Sequence, residues 1–216
     1  LLIFRNGKDS RDFQSGTDVR YESAYFWEER NEWFSDIWEN IKGTFQELGN
    51  ACEELRDRSA AYPLELPYRL INMYSVYGDT VLDPFWGTGT TSLAAMIAGR
   101  NSIGYELQEE FTNVFDAEVS EVKDLSHKTV EMRIRRHEEF VEQRLEDGKD
   151  FKYDAKYYDF PVTTKQEKQL QFYTIDSVGQ MENGYEVTHS PYTYNESIDA
   201  DTSDQQDQTT LGSRFK

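Results

Sequence analysis

The chain has 216 residues, enough for one domain of ordinary size or one and a half. Its formal charge of −18, from 41 acidic against 23 basic side chains, argues against a surface uniformly drawn to nucleic-acid phosphates. No window approaches the roughly 18 apolar residues of a membrane helix, the start carries no signal-peptide pattern, and a single cysteine, Cys52, excludes an internal disulfide and agrees with a reducing cytoplasm.

Leu1-Leu2-Ile3-Phe4 followed by Arg5-Asn6-Gly7-Lys8 reads as a buried strand ending in a turn. A chain opening in mid-strand leads us to expect further sequence before it. Residues 9 to 35 are polar with interleaved aromatics, among them Phe26, Trp27 and Trp33. They read as a loop anchored to the core by its rings. The sharper alternative is a recognition segment lying on DNA, with Arg5, Lys8, Arg11 and Arg20 as phosphate contacts. Ile41, Phe45, Leu48, Cys52 and Leu55 recur at helical spacing and predict an amphipathic helix over 40–57. Leu66, Leu70, Ile71 and Met73 to Val76 predict a second helix, packed on a sheet and ending at Gly78.

The next stretch dominates the sequence. Val81-Leu82 leads into Asp83-Pro84-Phe85-Trp86-Gly87-Thr88-Gly89-Thr90-Thr91, a helix-forming run extends to Ala98, and Ser102-Ile103-Gly104-Tyr105 ends on Glu106. Strand, glycine loop, helix, strand and carboxylate in that order hold a nucleoside-bearing cofactor at the C-terminal edge of a parallel sheet. The glycines let the backbone turn tightly and come close to a ligand, and Glu106 is placed to accept ribose hydroxyls. A Walker loop would need a lysine, which Gly87 to Thr91 lacks, and a dinucleotide fingerprint would need glycine where Ser92 stands. An ordinary βαβ turn is the plain alternative.

Downstream, Phe111, Val114, Phe115, Val119, Val122 and Leu125 share one broad helical face, and a further helix is predicted from about Lys128 to Leu145. Arg133, Arg135, Arg136 and His137 cluster there and read as a solvated face, with phosphate contact as the alternative. His127, His137 and His189 have no partners at metal-ligand spacing, so no metal site is read. Leu170 to Ile175 and Gly184 to Val187 flank an Asn183-Gly184 turn signal and predict a hairpin. The acidic stretch from Asn195 predicts a disordered tail. Acidic residues spread along the whole chain suggest a salt-rich cytoplasm, where an acidic surface keeps a protein soluble.

Asp83-Pro84-Phe85-x-Gly87-x-Gly89-Thr90-Thr91 resembles the S-adenosylmethionine motif of amino-group DNA methyltransferases, which methylate the exocyclic nitrogen of adenine or cytosine. Gly78 to Leu82 before it and Gly99-Arg100-x-x-Ile103-Gly104-x-Glu106 after it agree with that family. Tyr62-Pro63-Leu64-Glu65-Leu66-Pro67 resembles a second cofactor motif, with tyrosine where the family usually has histidine, and Asp36-Ile37-Trp38 resembles a short marker before the cofactor half. The resemblance implies a Rossmann-like α/β methyltransferase fold in permuted order, with a partial sheet and a C-terminal helical and hairpin extension. The expected units are the end of a catalytic half over 1–58, the cofactor-binding βαβ region over 59–126, the extension over 127–194 and the tail over 195–216. It implies S-adenosyl-L-methionine as cofactor, held by Tyr62, Pro63, Leu66, Asp83, Pro84, Phe85, Gly87, Gly89, Thr90, Thr91 and Glu106. It also implies duplex DNA with a flipped target base as partner.

The family's catalytic tetrapeptide, Asp/Asn/Ser-Pro-Pro-Tyr/Phe, does not occur in the chain. His189-Ser190-Pro191-Tyr192 comes nearest, with one proline in place of two. The expectation is that the catalytic motif lies upstream of Leu1 or on a partner chain, that this portion alone is inactive, and that the target is cytosine N4. Adenine N6, an RNA substrate and a non-catalytic cofactor-binding subunit are the alternatives.

Overall fold

A computed structural model describes residues 18–39, 41 and 62–194. The predicted strand at Leu1–Phe4, the helix over 40–57 apart from Ile41, the basic side chains Arg5, Lys8 and Arg11, and the acidic tail lie outside these residues. Arg20 is exposed on the short helix α1, Asp18–Glu22.

Helix α2, Trp27–Trp33, follows. The Glu29 carboxylate reaches back to accept the Phe26 amide at 2.9 Å, which satisfies one of the donors a helix start leaves open. Phe26 and Trp33 are buried, so the aromatics here do anchor the segment. Helix α3, Glu65–Tyr74, is shorter than predicted. Ser75 leaves helical geometry with φ −138° and ψ 170°, while its amide still donates to the Ile71 carbonyl and closes the last turn. Leu64, Tyr68 and Ile71 form its most buried apolar stripe, and Pro67 is tolerated because a first-turn amide has no helical partner.

Strands β1 (Thr80–Asp83) and β2 (Asn101–Gly104) pair in parallel, with Asp83 opposite Gly104. Helix α4, Thr90–Ile97, crosses between them. Every residue from Ser92 to Ala98 is buried, because α3 and the later hairpin also pack on this helix. From Leu93 to Ala98 the sequence is accordingly apolar on all sides. Arg100, just past the helix, is buried with its guanidinium 4.8 Å over the Tyr77 ring. It donates to the Ser75 carbonyl at 2.9 Å and to the Ala98 carbonyl, tying together the C-terminal ends of α3 and α4.

Helices α5 (Glu110–Val119) and α6 (Val122–Glu146) are separated only by Ser120 and Glu121. The broad apolar face predicted across 111–125 is therefore two helices, and the second begins six residues before the predicted Lys128. Helix α6 serves two apolar clusters: Val122 and Leu125 join α3, α4 and Ile175, whereas Val130 and Ile134 join Phe26, Tyr158, Phe160 and Phe172. A short antiparallel pair, β3 (Tyr153–Asp154) with β4 (Pro161–Val162), and a 3₁₀ turn at Glu167–Gln169 precede the hairpin β5 (Tyr173–Met181) and β6 (Gly184–Pro191). The Asn183-Gly184 turn stands where predicted, with Gly184 at φ 138°.

The basic cluster on α6 divides. Arg135 and Arg136 are exposed, but Arg133 and His137 are buried and face the acids of α2. Arg133 makes a bidentate pair with Glu29 at 2.6 and 2.7 Å, and the Glu28 carboxylate lies 2.6 Å from His137 Nδ1. Arg69 joins the same layer by pairing with Glu65 and, at 2.6 Å, with Glu32. The solvated-face expectation fails for Arg133 and His137. The period of α6 alone could not show that another helix supplies their acidic partners.

Candidate cofactor-binding site

The C-terminal ends of β1 and β2 carry the carboxylates Asp83 and Glu106. Asp83 Oδ1 accepts the Phe85 amide at 3.0 Å, closing a turn that directs the chain away from the strand. Asp83 Oδ2 accepts the Thr91 hydroxyl at 2.6 Å and the Tyr62 hydroxyl at 3.4 Å, and Tyr62 and Thr91 are 2.7 Å apart. Strand end, helix start and the segment before α3 thus meet through three side chains. Partial burial raises the Tyr62 pKa, and the neighbouring Asp83 charge adds to that, so its proton is retained.

Glu106 supports the other side of the loop. Its Oε2 accepts the Gly87 amide at 2.9 Å, while Oε1 accepts the Leu107 and Gln108 amides at 2.8 and 3.1 Å. Desolvation works against its charge, but the three backbone donors outweigh that and hold its pKa below the usual glutamate value. The carboxylate stays exposed and ionised, with lone pairs still facing solvent. Tyr105 and Leu107 (100% exposed), its neighbours in sequence, and Phe85 (89% exposed) in the loop are exposed to solvent.

Gly89 caps α4 at φ 79°, and a Cβ there would lie 2.3 Å from the Phe115 ring. Both constraints demand glycine. Gly104 has an ordinary backbone, yet a Cβ on it would lie 2.0 Å from the Trp86 indole. Trp86 fills that space, donates to Ser92 Oγ at 2.8 Å and meets Phe115 edge-on at 4.7 Å.

The structure therefore joins Tyr62, Asp83 and Thr91 in one hydrogen-bonded group and Gly87 with Glu106 in a second. Pro84 and Phe85 project to solvent, and the Thr90 hydroxyl lies 3.5 Å from that of Thr88. Pro63 is buried and Leu66 half-buried at the start of α3, where the Leu66 amide bonds to the Pro63 carbonyl at 3.0 Å. Trp86, Ser92 and Phe115 are parts of the loop's support that sequence reasoning missed. The usable signal was Gly104, since a glycine inside a strand marks a close approach. The His189-Ser190-Pro191-Tyr192 string is strand β6 and its exit: Ser190 pairs with Thr174, and His189 Nε2 lies 2.7 Å from the Met96 carbonyl. Among the described residues no group of three or more His, Cys, Asp or Glu is placed to hold a metal, and no helix is long and apolar enough to cross a membrane.

A glycine loop after one strand and a carboxylate after its parallel neighbour suit a nucleoside with a polar extension. The Type II methyltransferase M.MthZI of Methanothermobacter thermautotrophicus is 50% identical over 175 residues, 80% of this chain and 47% of the relative. The Type II methyltransferase M.MjaI of Methanocaldococcus jannaschii is 48% identical over 119 residues, 55% of this chain and 37% of the relative. The chain thus spans about half, or less, of these relatives' length. A candidate DNA modification methylase of Thermus thermophilus, solved with S-adenosyl-L-methionine, is 31% identical over 54% of this chain and 40% of its own, with a TM-score of 0.41. The sequence profile of the DNA methylase family that modifies N6 or N4 amino groups matches residues 2–117. The chain belongs to this amino-group DNA methylase family.

Proposed function

We propose that this chain is the donor portion of a site-specific DNA methyltransferase that moves a methyl group from S-adenosyl-L-methionine to an exocyclic base amine, cytosine N4. The observation that carries the reading is the placement of Asp83 and Glu106 at adjacent parallel strand ends on either side of the Phe85–Thr91 loop. Glu106 accepts the ribose hydroxyls. Asp83, oriented by Thr91 and Tyr62, faces the methionine part, with Pro63 and Leu66 behind it. The loop from Pro84 through Gly87, Gly89 and Thr90 follows the ligand's outline, and Phe85 covers the base. When bound, the cofactor supplies the electrophilic methyl group.

The acceptor half of the reaction lies elsewhere, upstream or on a partner chain. In support, the sequence holds no Asx-Pro-Pro-Tyr. Leu82 and Ile103, paired across β1 and β2, are 61% and 50% exposed, whereas parallel sheets are normally covered on both faces. Duplex DNA with an extruded base is the substrate, because an amine within the stack is out of reach. The work of such an enzyme belongs to restriction-modification. Even acid enrichment and a lone cysteine support a reducing, salt-rich cytoplasm.

Nucleoside mass spectrometry of duplex DNA treated with the chain joined to its acceptor half tests the target. N4-methylcytosine is expected. Finding only N6-methyladenine would overturn the cytosine assignment, and finding neither in the presence of bound cofactor would overturn the activity.

A further inference from the structure

The most basic stretch in the sequence is partly buried, and the fold instead collects lysines somewhere less conspicuous. Lys152, at the entry to β3, and Lys168, in the 3₁₀ turn, stand over the same Tyr153 ring, with their Nζ atoms 5.5 and 5.8 Å from its centroid. Lys156 lies between them in sequence. Its amide bonds to the Lys168 carbonyl at 2.9 Å, and its Nζ is 3.0 Å from the Tyr157 hydroxyl. All three lysines are exposed.

The base beneath them is firmly held. Glu167 is buried and accepts the Trp27 amide at 2.8 Å and the Thr164 amide at 2.5 Å, and Tyr158 stacks on Phe160 at 5.3 Å. Aromatic contacts limit the freedom of the lysine stems before any partner arrives.

Their electrostatic state is the second observation. The chain carries a large surplus of carboxylates, yet Lys152, Lys156 and Lys168 form no ion pair among the described residues, whereas Lys149 pairs with Asp147 at 3.0 Å. Exposed Asp154 and Asp159 share the segment without pairing to them, and Asp18 and Glu22 of α1 act on Lys156 only through space. Cations without an ion-pair partner among the described residues, with tyrosine faces beside them, suit a polyanion whose charges repeat at short intervals.

We propose that Lys152, Lys156 and Lys168, set on Tyr153 and Tyr157, form a docking platform for the phosphodiester backbone of duplex DNA flanking the target base. This rests on the DNA methyltransferase reading and adds a contact surface outside the cofactor site. Such contacts position the duplex and carry no sequence information.

The test measures binding of a fluorescent duplex to the 216-residue chain between about 50 and 200 mM salt, where each phosphate contact adds roughly 0.9 to the slope of log K against log salt. Substituting Lys152→Gln, Lys156→Gln and Lys168→Gln together is expected to lower that slope by roughly 2 to 3, and Lys149→Gln to leave it unchanged. An unchanged slope in the triple variant, an equal loss in Lys149→Gln, or no duplex binding by the unsubstituted chain overturns the proposal. So does loss of binding to phosphatidylserine vesicles with the duplex slope intact, which would assign the platform to a lipid surface. Cofactor binding, measured in parallel, separates the two claims: its absence in the unsubstituted chain counts against the methyltransferase reading, while the salt slope alone decides the platform.

Discussion

Thr91 donates its hydroxyl proton to Asp83 across 2.6 Å, joining the first turn of α4 to the last residue of β1. Tyr62, arriving from the segment before α3, touches both partners. A carboxylate held by two hydroxyls and a backbone amide has one orientation, so the loop is set before a ligand arrives. Thr91→Val removes the shorter hydroxyl bond without changing side-chain shape much. A hydrogen bond to a charged group contributes roughly 1.5–3 kcal/mol, so cofactor affinity should fall at least about tenfold. Titration calorimetry checks this, with Tyr62→Phe expected to give a smaller loss in view of its longer contact.

Gly104→Ala should destabilise the fold by roughly 1–3 kcal/mol, the usual cost of overpacking, because the indole of Trp86 occupies the space a Cβ needs. Urea denaturation gives the stability, and tryptophan fluorescence should report the displaced ring. A variant as stable as the parent with an unchanged spectrum would show that Trp86 does not sit over β2.

Glu106 gives a pH expectation with a definite sign. Its folded pKa is depressed, so its contribution is present above the ordinary glutamate value of 4.5 and is lost only as pH falls through the lower folded value. The Gly87 contact should therefore persist from about pH 8 down past about pH 5 and release in more acidic solution. Proton exchange at the Gly87 amide, read by NMR, follows that release, and Glu106→Gln should remove the step.

Glu28 behaves in the opposite way. Burial raises its pKa against the lowering effect of His137, so the folded state binds its proton more tightly than the unfolded chain. Its contribution is present below the unfolded value of 4.5 and is lost as pH rises through the raised folded value. Glu28→Gln, uncharged at every pH, should gain stability relative to the parent as pH rises through that window. Paired urea melts at about pH 4.5 and about pH 8 measure the difference.

Arg133→Ala should cost about 3–5 kcal/mol, because it leaves the largely buried Glu29 carboxylate without its bidentate partner. A thermal melt of the variant gives the loss, and replacing Glu29 with Gln in the same chain should recover part of it.

The unit from Val81 to Glu106 was legible because each of its signals is local. An apolar pair makes the strand, paired glycines make the loop, a run free of breakers makes α4, and the second strand ends on a carboxylate. The Asn183-Gly184 hairpin was legible for the same reason. What could not be read depends on partners distant in the chain. Arg133 and His137 looked solvated because the acids that bury them, Glu29 and Glu28, sit on a helix over a hundred positions earlier. In sequence, Tyr62, Asp83 and Thr91 are separate motif positions, and nothing in their spacing shows that two hydroxyls share one carboxylate oxygen. Trp86 occupied a variable place in the motif, and only the packed structure shows it filling the gap over Gly104.

Equilibrium binding of radiolabelled S-adenosyl-L-methionine to the folded 216-residue chain tests the central claim most directly. The account predicts saturable binding at one site, displaced by S-adenosylhomocysteine and lost in Asp83→Ala and in Glu106→Ala. A folded chain that binds no cofactor, or binds it equally well after both substitutions, would contradict it.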